Sequence, residues 1–320
     1  MSSIEKRQTL IDHSMAVQAR QVTDSVSDLE RAILATVLYS DLFDYALTLD
    51  ELAHYLIRVQ AAPAEVRASL ARSTWLRDRV GVIDGYVVVR GREALVQRRL
   101  DRSATSQRLW TRARRFARIL SALPFVRFVG ITGALAMDNC AAGDDIDVMI
   151  VTAPDRVWLT RALSIALVRL GKLFGDTLCP NYLISENALA LEHHSLFVAH
   201  EFMQMVPLYG GEVYARLLCA NGWVQQHLPN ATTAYRQAAD VRPARPLRLL
   251  KGLGERCLSG SVGDRLEAWE MRRKLRKFQP QLGRPDGDAL LDHDHVKGHF
   301  DDYGGPVMRL YAERLAQYEA

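Results

Sequence analysis

The chain has 320 residues, of which 48% are apolar, and its net charge is +4. This composition is typical of a globular protein with two or three domains, and it excludes a disordered chain. No apolar run reaches the roughly 18 residues of a membrane span, so we expect no membrane partner. The first residues lack the apolar core of a signal peptide, and the four cysteines form no CxxC pair. These features predict reduced thiols and a cytoplasmic location.

The N-terminal part of the chain contains start signals for several short helices. Residues 1–26 are polar and irregular, which predicts a tail. Thr48-Leu-Asp-Glu51 then forms a capping box, and Pro63 starts a later helix. Two apolar runs flank Asp84-Gly85, a dipeptide that favours a hairpin turn. Three short helices closed by a hairpin predict a winged-helix-like domain over residues 27–92.

Two roles are open for this domain. The third helix of a winged-helix domain often binds in the DNA major groove, and here it carries Arg67, Arg72 and Arg77. Alternatively, the domain packs against its neighbour or a partner protein, which fusion to a second domain favours.

An arginine-rich segment follows. Ten arginines and only two acids lie between residues 90 and 118. Leucines interleave with the arginines, which predicts one or two amphipathic helices in a connection over residues 93–122. Guanidinium groups bind phosphate in a forked geometry, so the segment is a candidate surface for RNA or DNA. A solvated helix face explains the same residues without any ligand.

The stretch over residues 125–151 carries the strongest functional signal. An apolar run ends at Thr132-Gly133-Ala134, and after ten residues a second apolar run carries Asp145 and Asp147. Side chains two residues apart on a strand share a face, so both carboxylates are predicted to project together. Paired carboxylates repel each other, and a divalent cation is the usual reason to place them so. Gly133 is predicted to lie at a helix start, where backbone N–H groups can hold phosphate.

The remaining pattern alternates strands and helices. This alternation predicts an α+β fold with a mixed sheet and packed helices over residues 123–225, followed by a mainly helical region over 226–320. Pro243, Pro246 and several glycines predict that residues 231–263 are a connection. The predicted elements are helices over 155–173, 195–205, 212–218, 263–277 and 306–318, and strands over 178–184 and 206–209.

The motif around Gly133 resembles the signature of the nucleotidyltransferase superfamily, which includes DNA polymerase beta, CCA-adding enzymes and aminoglycoside nucleotidyltransferases. That signature is a strand, Gly-Ser or Gly-Gly, about ten residues, and Asp-x-Asp in a second strand. Over residues 28–225 the chain is also similar to bacterial and archaeal nucleotidyltransferase-domain proteins. The phrases that carry this likeness are Leu38-Tyr-Ser-Asp-Leu-Phe-Asp-Tyr45, Asp145-Ile-Asp-Val-Met-Ile-Val-Thr152, Trp158-Leu-Thr-Arg161, Asn181-Tyr-Leu-Ile-Ser185 and Val206-Pro-Leu-Tyr-Gly210.

The resemblance implies an enzyme that moves a nucleoside monophosphate from an NTP to an acceptor and releases pyrophosphate. The acceptor is left open among a small molecule, a protein and RNA. The resemblance also implies Mg²⁺ or Mn²⁺ held by Asp145 and Asp147, since metal ions lower the charge on the attacking and leaving oxygens. The residues that it places at the nucleotide are Thr132, Gly133, Ala134 and Asn181.

Two positions depart from the superfamily pattern. Ala134 stands where relatives commonly have a serine, so a hydroxyl that would contact phosphate is missing. Asn181 is expected to face the site where many relatives have a third carboxylate, and an amide cannot accept a proton. Either another acid reaches the site, for which Glu186, Glu192 and Glu201 are candidates, or the acceptor is already anionic.

Two other functions compete with the enzyme. One is a regulator, in which a winged helix binds DNA and an inactive transferase domain senses nucleotide. The other is a toxin-like transferase that modifies tRNA docked on the arginine-rich segment. His293, His295 and His299 lie beside two aspartates and are a candidate zinc site; a structural or substrate-contacting role is the alternative.

Overall fold

The computed structural model describes residues 26–172, 178–282, 290–297 and 302–319. Apart from its last residue, the predicted tail over residues 1–26 lies outside these ranges. The chain is a mixture of α-helices and β-strands with one mixed sheet and one smaller antiparallel sheet. Within the described ranges, every helix is too short or too polar to traverse a lipid bilayer.

The N-terminal unit follows the start signals in its sequence. The hydroxyl groups of Ser27 and Thr48 each accept a backbone N–H at a helix start, and Glu30 and Glu51 complete the two capping boxes. These contacts satisfy N–H groups that a helix start otherwise leaves unpaired. The elements of the unit are α1 (Asp28–Asp41), β1 (Leu47–Thr48), α2 (Leu49–His54), α3 (Pro63–Arg72), α4 (Thr74–Arg77), β2 (Val80–Ile83) and β3 (Tyr86–Val89).

The three strands of this unit form an antiparallel sheet in the order β1-β3-β2. Asp84 and Gly85 join β2 to β3 with φ angles of +51° and +82°, as a two-residue hairpin requires. The unit has four helices where the sequence predicted three. The extra helix is the short α4, which exists because Ser73 ends α3 and its side chain caps a new helix start.

A single helix of 27 residues, α5 (Ala94–Leu120), spans the arginine-rich segment. The sequence pattern predicts one or two helices here, and the structure has one. Its apolar side is buried in the same core cluster as the central sheet, through Trp110, Phe116 and Leu120. Arg99 and Arg102, near its beginning, make contacts inside the protein.

The central sheet has five strands: β4 (Val126–Ile131), β5 (Ile146–Thr152), β6 (Leu178–Ser185), β7 (Val206–Tyr209) and β8 (His295–Lys297). Their order is β7-β4-β5-β6-β8, with β5 and β6 parallel and the other neighbours antiparallel. The sheet is therefore mixed, as the sequence predicted. Strand β8 was not predicted, because three residues are too few for an alternating pattern to be visible.

Among the described residues, seven further α-helices and a short 3-10 helix (Gly222–Gln226) surround or follow the central sheet. The α-helices are α6 (Gly133–Ala136), α7 (Val157–Lys172), α8 (Leu196–Gln204), α9 (Gly211–Ala220), α10 (Arg245–Leu258), α11 (Ser261–Leu282) and α12 (Gly304–Glu319). Helix α7 crosses from β5 to the parallel strand β6, and α12 packs against α1 and α8.

The prediction that residues 231–263 are a connection is wrong, because this segment contains the whole of α10. Pro246 lies in the first turn of the helix, where a missing N–H and a fixed φ do no harm. Gly254 lies where a β-carbon would come within 2.7 Å of the Pro124 ring, so its lack of a side chain permits close packing. Proline and glycine therefore mark helix entry and close contact here rather than a break.

The N-terminal unit and the central sheet share one apolar core. Leu38, Leu52 and Leu76 of the former belong to the same buried cluster as Phe128 of β4 and Phe202 of α8, which packs beside the sheet. Because burial of apolar surface is the main source of stability, the two parts stabilise each other. The N-terminal unit is thus packed onto the central sheet, next to the site described below.

Candidate functional site

Two carboxylates and a thiol meet at the beginning of β5. The side-chain ligand atoms of Asp145, Asp147 and Cys179 all lie within 4.8 Å of one another. Asp145 and Asp147 therefore project together, as the sequence predicted. Strand β5 begins at Ile146, so Asp145 lies just before the strand and is exposed, whereas the sequence pattern predicts it within the strand. Assigned strand ends commonly differ by a residue, and the direction of the side chain is unaffected.

Cys179 is a member of the cluster that the sequence did not identify. It lies opposite Asp147 in the parallel pairing of β5 and β6, so both side chains leave the same face of the sheet. Its side chain makes a hydrogen bond with the Asp147 carboxylate that favours the charged form. The cluster thus offers two carboxylate groups, which suit Mg²⁺ or Mn²⁺, and a thiol that orients one of them.

Electrostatic repulsion and burial strain the charged form of Asp147. Burial, followed by the charges of Asp145 and Glu201, raises the pKa of Asp147 from 3.8 to about 7. A carboxylate that is costly to ionise gains free energy from a bound cation, since the cation removes the repulsion. The donor atoms and their electrostatics therefore fit a divalent metal ion.

Gly133 lies directly against this cluster. Its φ is +65°, and a β-carbon built on it would be 2.5 Å from Oδ2 of Asp147. A side chain is therefore excluded twice, by backbone conformation and by contact. The absence of a side chain keeps the Asp147 carboxylate accessible from the first turn of α6.

Thr132 and Ala134 flank Gly133 on the same turn. The Thr132 N–H donates to the Asp147 carbonyl at 3.1 Å, which ties the end of β4 to β5. The Thr132 hydroxyl oxygen is buried and makes no hydrogen bond with any part of the chain that the structure describes. An unpaired buried hydroxyl is costly, so a ligand that bonds to it would be favoured. Ala134 offers only its backbone to such a ligand.

A cavity of about 410 Å³ opens beside the cluster. Asp147 and Asn181 both line it, and Asn181 lies on the adjacent strand β6. That the Asn181 side chain faces the two aspartates stays a prediction. Glu201 of α8 and Lys297 of β8 line the same cavity. Burial raises the pKa of Glu201, and the charge of Lys297 opposes that effect. The cavity walls are otherwise mostly apolar, with Phe43, Met149, Tyr182, Phe197, Phe202 and Met205 among them.

A second cavity of about 370 Å³ lies on the other side of Gly133. Glu201 and Phe43 line both cavities, so the two spaces adjoin. The second one is more polar and includes Arg102, whose guanidinium group donates to Asn139 Oδ1 at 3.1 Å. Its other polar lining residues include Ser40, Asp144, His200 and Gln204.

The arginine-rich helix contributes to this region from inside the protein. Arg99 is buried and forms an ion pair with Glu51 of α2 at 3.1 Å. Arg99 also donates to the carbonyl of Met137, in the loop that follows α6. The Tyr45 hydroxyl donates to Glu51 at 2.7 Å and lies 3.0 Å from the same carbonyl. These buried contacts fix the N-terminal unit to the loop that carries the site.

The three acids proposed as substitutes for a third carboxylate have different environments. Glu201 reaches the site cavity. Glu186 instead pairs with Arg216 at 2.7 Å and with Arg127 at 3.8 Å, and Glu192 is exposed. Lys297 is a further site residue that sequence reasoning missed, since a single lysine 150 positions from Asp147 carries no local signal.

The histidine-rich segment shows a structural role in its described part. His295 is buried, and its Nδ1 lies 3.1 Å from the Asp292 carboxylate, which also accepts the His295 N–H. His293 Nε2 lies 3.5 Å from Asp155. His299 lies outside the described residues, so the predicted three-histidine set is only partly visible. Asp292 and its contacts close a turn before β8.

No family model matches this chain, and no similar curated protein or solved structure was found. A functional assignment therefore depends on the geometry of the site alone.

Proposed function

We propose that the protein is a nucleotidyltransferase, which moves a nucleoside monophosphate from an NTP to an acceptor and releases pyrophosphate. The observation that carries the proposal is the position of Gly133 against the cluster of Asp145 and Asp147. No residue with a side chain fits at position 133, because its β-carbon would collide with the Asp147 carboxylate. A divalent ion and a phosphate chain would both be recognised at this one position. When bound there, Mg²⁺ or Mn²⁺ would lower the charge on the attacking and leaving oxygens.

The residues around the cluster have separate roles in this proposal. The first turn of α6 and the unpaired Thr132 hydroxyl would hold phosphate oxygens, with the Ala134 backbone beside them. Asn181 would orient an oxygen of the acceptor. Glu201 would take the acceptor's proton, because burial raises the pKa of this carboxyl and makes it a stronger base.

The two cavities support a small acceptor. The polar cavity on the α6 side, with Arg102, suits the anionic nucleotide. The cavity lined by Asn181 and Glu201 has mainly apolar walls and a volume typical of small-molecule sites. A hydroxyl-bearing molecule with an apolar skeleton fits this description better than a strand of RNA does.

The N-terminal unit has the element order of a winged helix, and we propose that this is its fold. A DNA-binding regulator with an inactive transferase site is the alternative function. Helix α3 exposes Arg67 and Arg72, which favours that alternative, but Arg67 is paired with Asp50 at 3.0 Å. The buried contacts between this unit and the loop after α6 favour a role in shaping the enzyme site instead.

Docking of tRNA on the arginine-rich segment has weaker support. Arg99 and Arg102 are engaged inside the protein, whereas Arg108, Arg112 and Arg115 are exposed on α5. If the exposed arginines bind RNA, affinity falls steeply with salt and the triple change to Gln flattens that slope. An absence of binding at low salt would leave these arginines as a solvated face.

The decisive experiment incubates the protein with each labelled NTP and Mg²⁺ or Mn²⁺ and measures pyrophosphate release. Asp147→Asn should abolish release. Asp155→Asn is the matched control, because Asp155 is an exposed acid beyond the other end of β5, outside the cluster and both cavities, and it should retain most activity. Release by Asp147→Asn equal to that of the wild type would refute the proposed site. A labelled product would identify the acceptor class.

A further inference from the structure

Helix α10 presents its polar side to the protein. Lys251 Nζ donates to the carbonyls of Ser121 at 3.0 Å and Val126 at 2.6 Å. One turn later, Glu255 accepts the Phe125 N–H at 2.8 Å and pairs with Arg127 at 2.7 Å. The helix is therefore attached to the central sheet by charged groups, which is the reverse of the usual arrangement of an amphipathic helix.

The apolar side of α10 consequently faces outward. Leu249 is 76% exposed, and Leu250 and Leu253 are also exposed. No residue of this helix is buried. Single exposed leucines are common on protein surfaces, but three within five residues on one helix form a patch that calls for a partner.

Helix α11 also turns a charged group inward, beside Met271 and Leu275, which pack against the core of the central sheet. Glu267 accepts the backbone N–H groups of Trp158 and Leu159 and so caps the start of α7 from inside the protein. Among the described side chains of α11, the exposed large apolar residues are Val262, Leu266 and Trp269, which recur at the four- and three-residue spacing of one helix face. Two consecutive helices in contact thus both turn apolar residues outward.

Acidic and basic side chains of α10 and α11 have different surroundings. Residues 245–277 contain ten basic and four acidic side chains. All four acids bind groups within the protein: Glu255 binds Arg127, Asp264 binds Arg156, Glu267 caps α7, and Glu270 binds Arg273. The exposed basic residues are Arg245, Arg248, Arg256, Arg265, Arg272, Arg273, Arg276 and Lys277. Apart from Asp264, which is 64% exposed although it is paired with Arg156, the outer surface of the two helices is therefore apolar and cationic.

We propose that α10 and α11 form a docking surface for an anionic lipid bilayer. Exposed leucines and a tryptophan with arginines around them are the features of helices that lie in a membrane interface. The excess of positive charge favours anionic headgroups and opposes face-to-face contact with a second copy of the chain. Such docking needs no membrane span, and it places the enzyme beside lipid without depending on the identity of its substrate.

Sedimentation with phospholipid vesicles tests this proposal on the full chain. Vesicles with equal parts of phosphatidylcholine and phosphatidylglycerol should bind the protein, and vesicles of phosphatidylcholine alone should bind it much less. The double variant Leu249→Gln/Leu253→Gln should lower the vesicle affinity by roughly tenfold or more, because two leucines no longer enter the apolar layer. Arg248→Gln/Arg256→Gln should lower it as well and should weaken its dependence on salt.

Leu170→Gln/Leu310→Gln is the matched control, because these leucines are exposed at 58% and 52% on other helices. It should bind vesicles as the wild type does. Three results would overturn the proposal: no binding to anionic vesicles at low salt, an equal loss in the control variant, or a dimer in ultracentrifugation that the Leu249/Leu253 variant abolishes. Circular dichroism of each variant confirms that the exposed substitutions leave the fold intact.

Discussion

Asp147→Asn should stabilise the metal-free protein. Burial and two neighbouring acids raise the pKa of Asp147 from 3.8 to about 7. The ionised carboxylate is therefore less favourable in the folded than in the unfolded state, and stability falls as pH rises from about 4 to about 7. Each pH unit of difference corresponds to about 1.4 kcal/mol. Asparagine has almost the same shape and no charge, so it removes this cost.

The expected gain is about 2 to 4 kcal/mol in the free energy of unfolding near pH 8, with the upper value set by the whole pKa difference. Urea unfolding of both proteins in the presence of a chelator measures it. The difference in stability between variant and wild type should be small near pH 4, because the side chain at position 147 is then uncharged in both folded proteins. It should grow through neutral pH as the Asp147 carboxyl of the wild type ionises.

Added Mg²⁺ should reverse the order. A ligand that binds only the folded state stabilises it by RT ln(1 + [L]/Kd), so Mg²⁺ should raise the melting temperature of the wild type and leave Asp147→Asn unchanged. A variant that is less stable than the metal-free wild type at every pH would refute this electrostatic account of the site. Equal stabilisation of both proteins by Mg²⁺ would refute the proposed metal position.

Three further predictions follow from single contacts. Gly133→Ala should destabilise the protein by about 1–3 kcal/mol and abolish activity. Gly143 also has a positive φ but has no neighbour within 4 Å, so Gly143→Ala should cost only the backbone strain. Urea unfolding and NTP turnover distinguish the two variants. Asn181→Asp should tighten Mg²⁺ binding in calorimetry by adding an anionic ligand. Glu51→Gln removes the counter-ion of the buried Arg99 and should lower the free energy of unfolding in urea by about 3–5 kcal/mol. Asp50→Asn, which breaks an exposed ion pair, should lower it by only about 0–1 kcal/mol.

Local rules predicted the parts of the fold that depend on neighbouring residues. The capping box at Thr48, the hairpin at Asp84 and the shared direction of Asp145 and Asp147 all follow from contacts within a few positions. The same rules failed at residues 231–263, where a proline and two glycines occur in a helix whose charged side faces the protein. An apolar pattern alone cannot show which side of a helix faces the protein.

The missed site residues depend on long-range pairing. Cys179 enters the cluster because β6 pairs with β5 in a register that places it opposite Asp147, and that register shifts at Val148. Glu201 was one of three acids that the sequence could not rank, since helix packing decides which of them reaches the cavity. Lys297 depends on β8 joining the edge of the sheet more than a hundred residues later.

The ion pair between Glu51 and Arg99 bears on how this chain can be divided. A fragment beginning after residue 92 would retain the Arg99 charge and the Met137 carbonyl in a largely apolar surrounding but would lose the Glu51 carboxylate and the Tyr45 hydroxyl. It would also expose the leucines that the central sheet shares with the N-terminal unit. The boundary near residue 92 therefore separates two arrangements of helices and strands that depend on each other to fold. Truncated proteins made at that boundary should be insoluble.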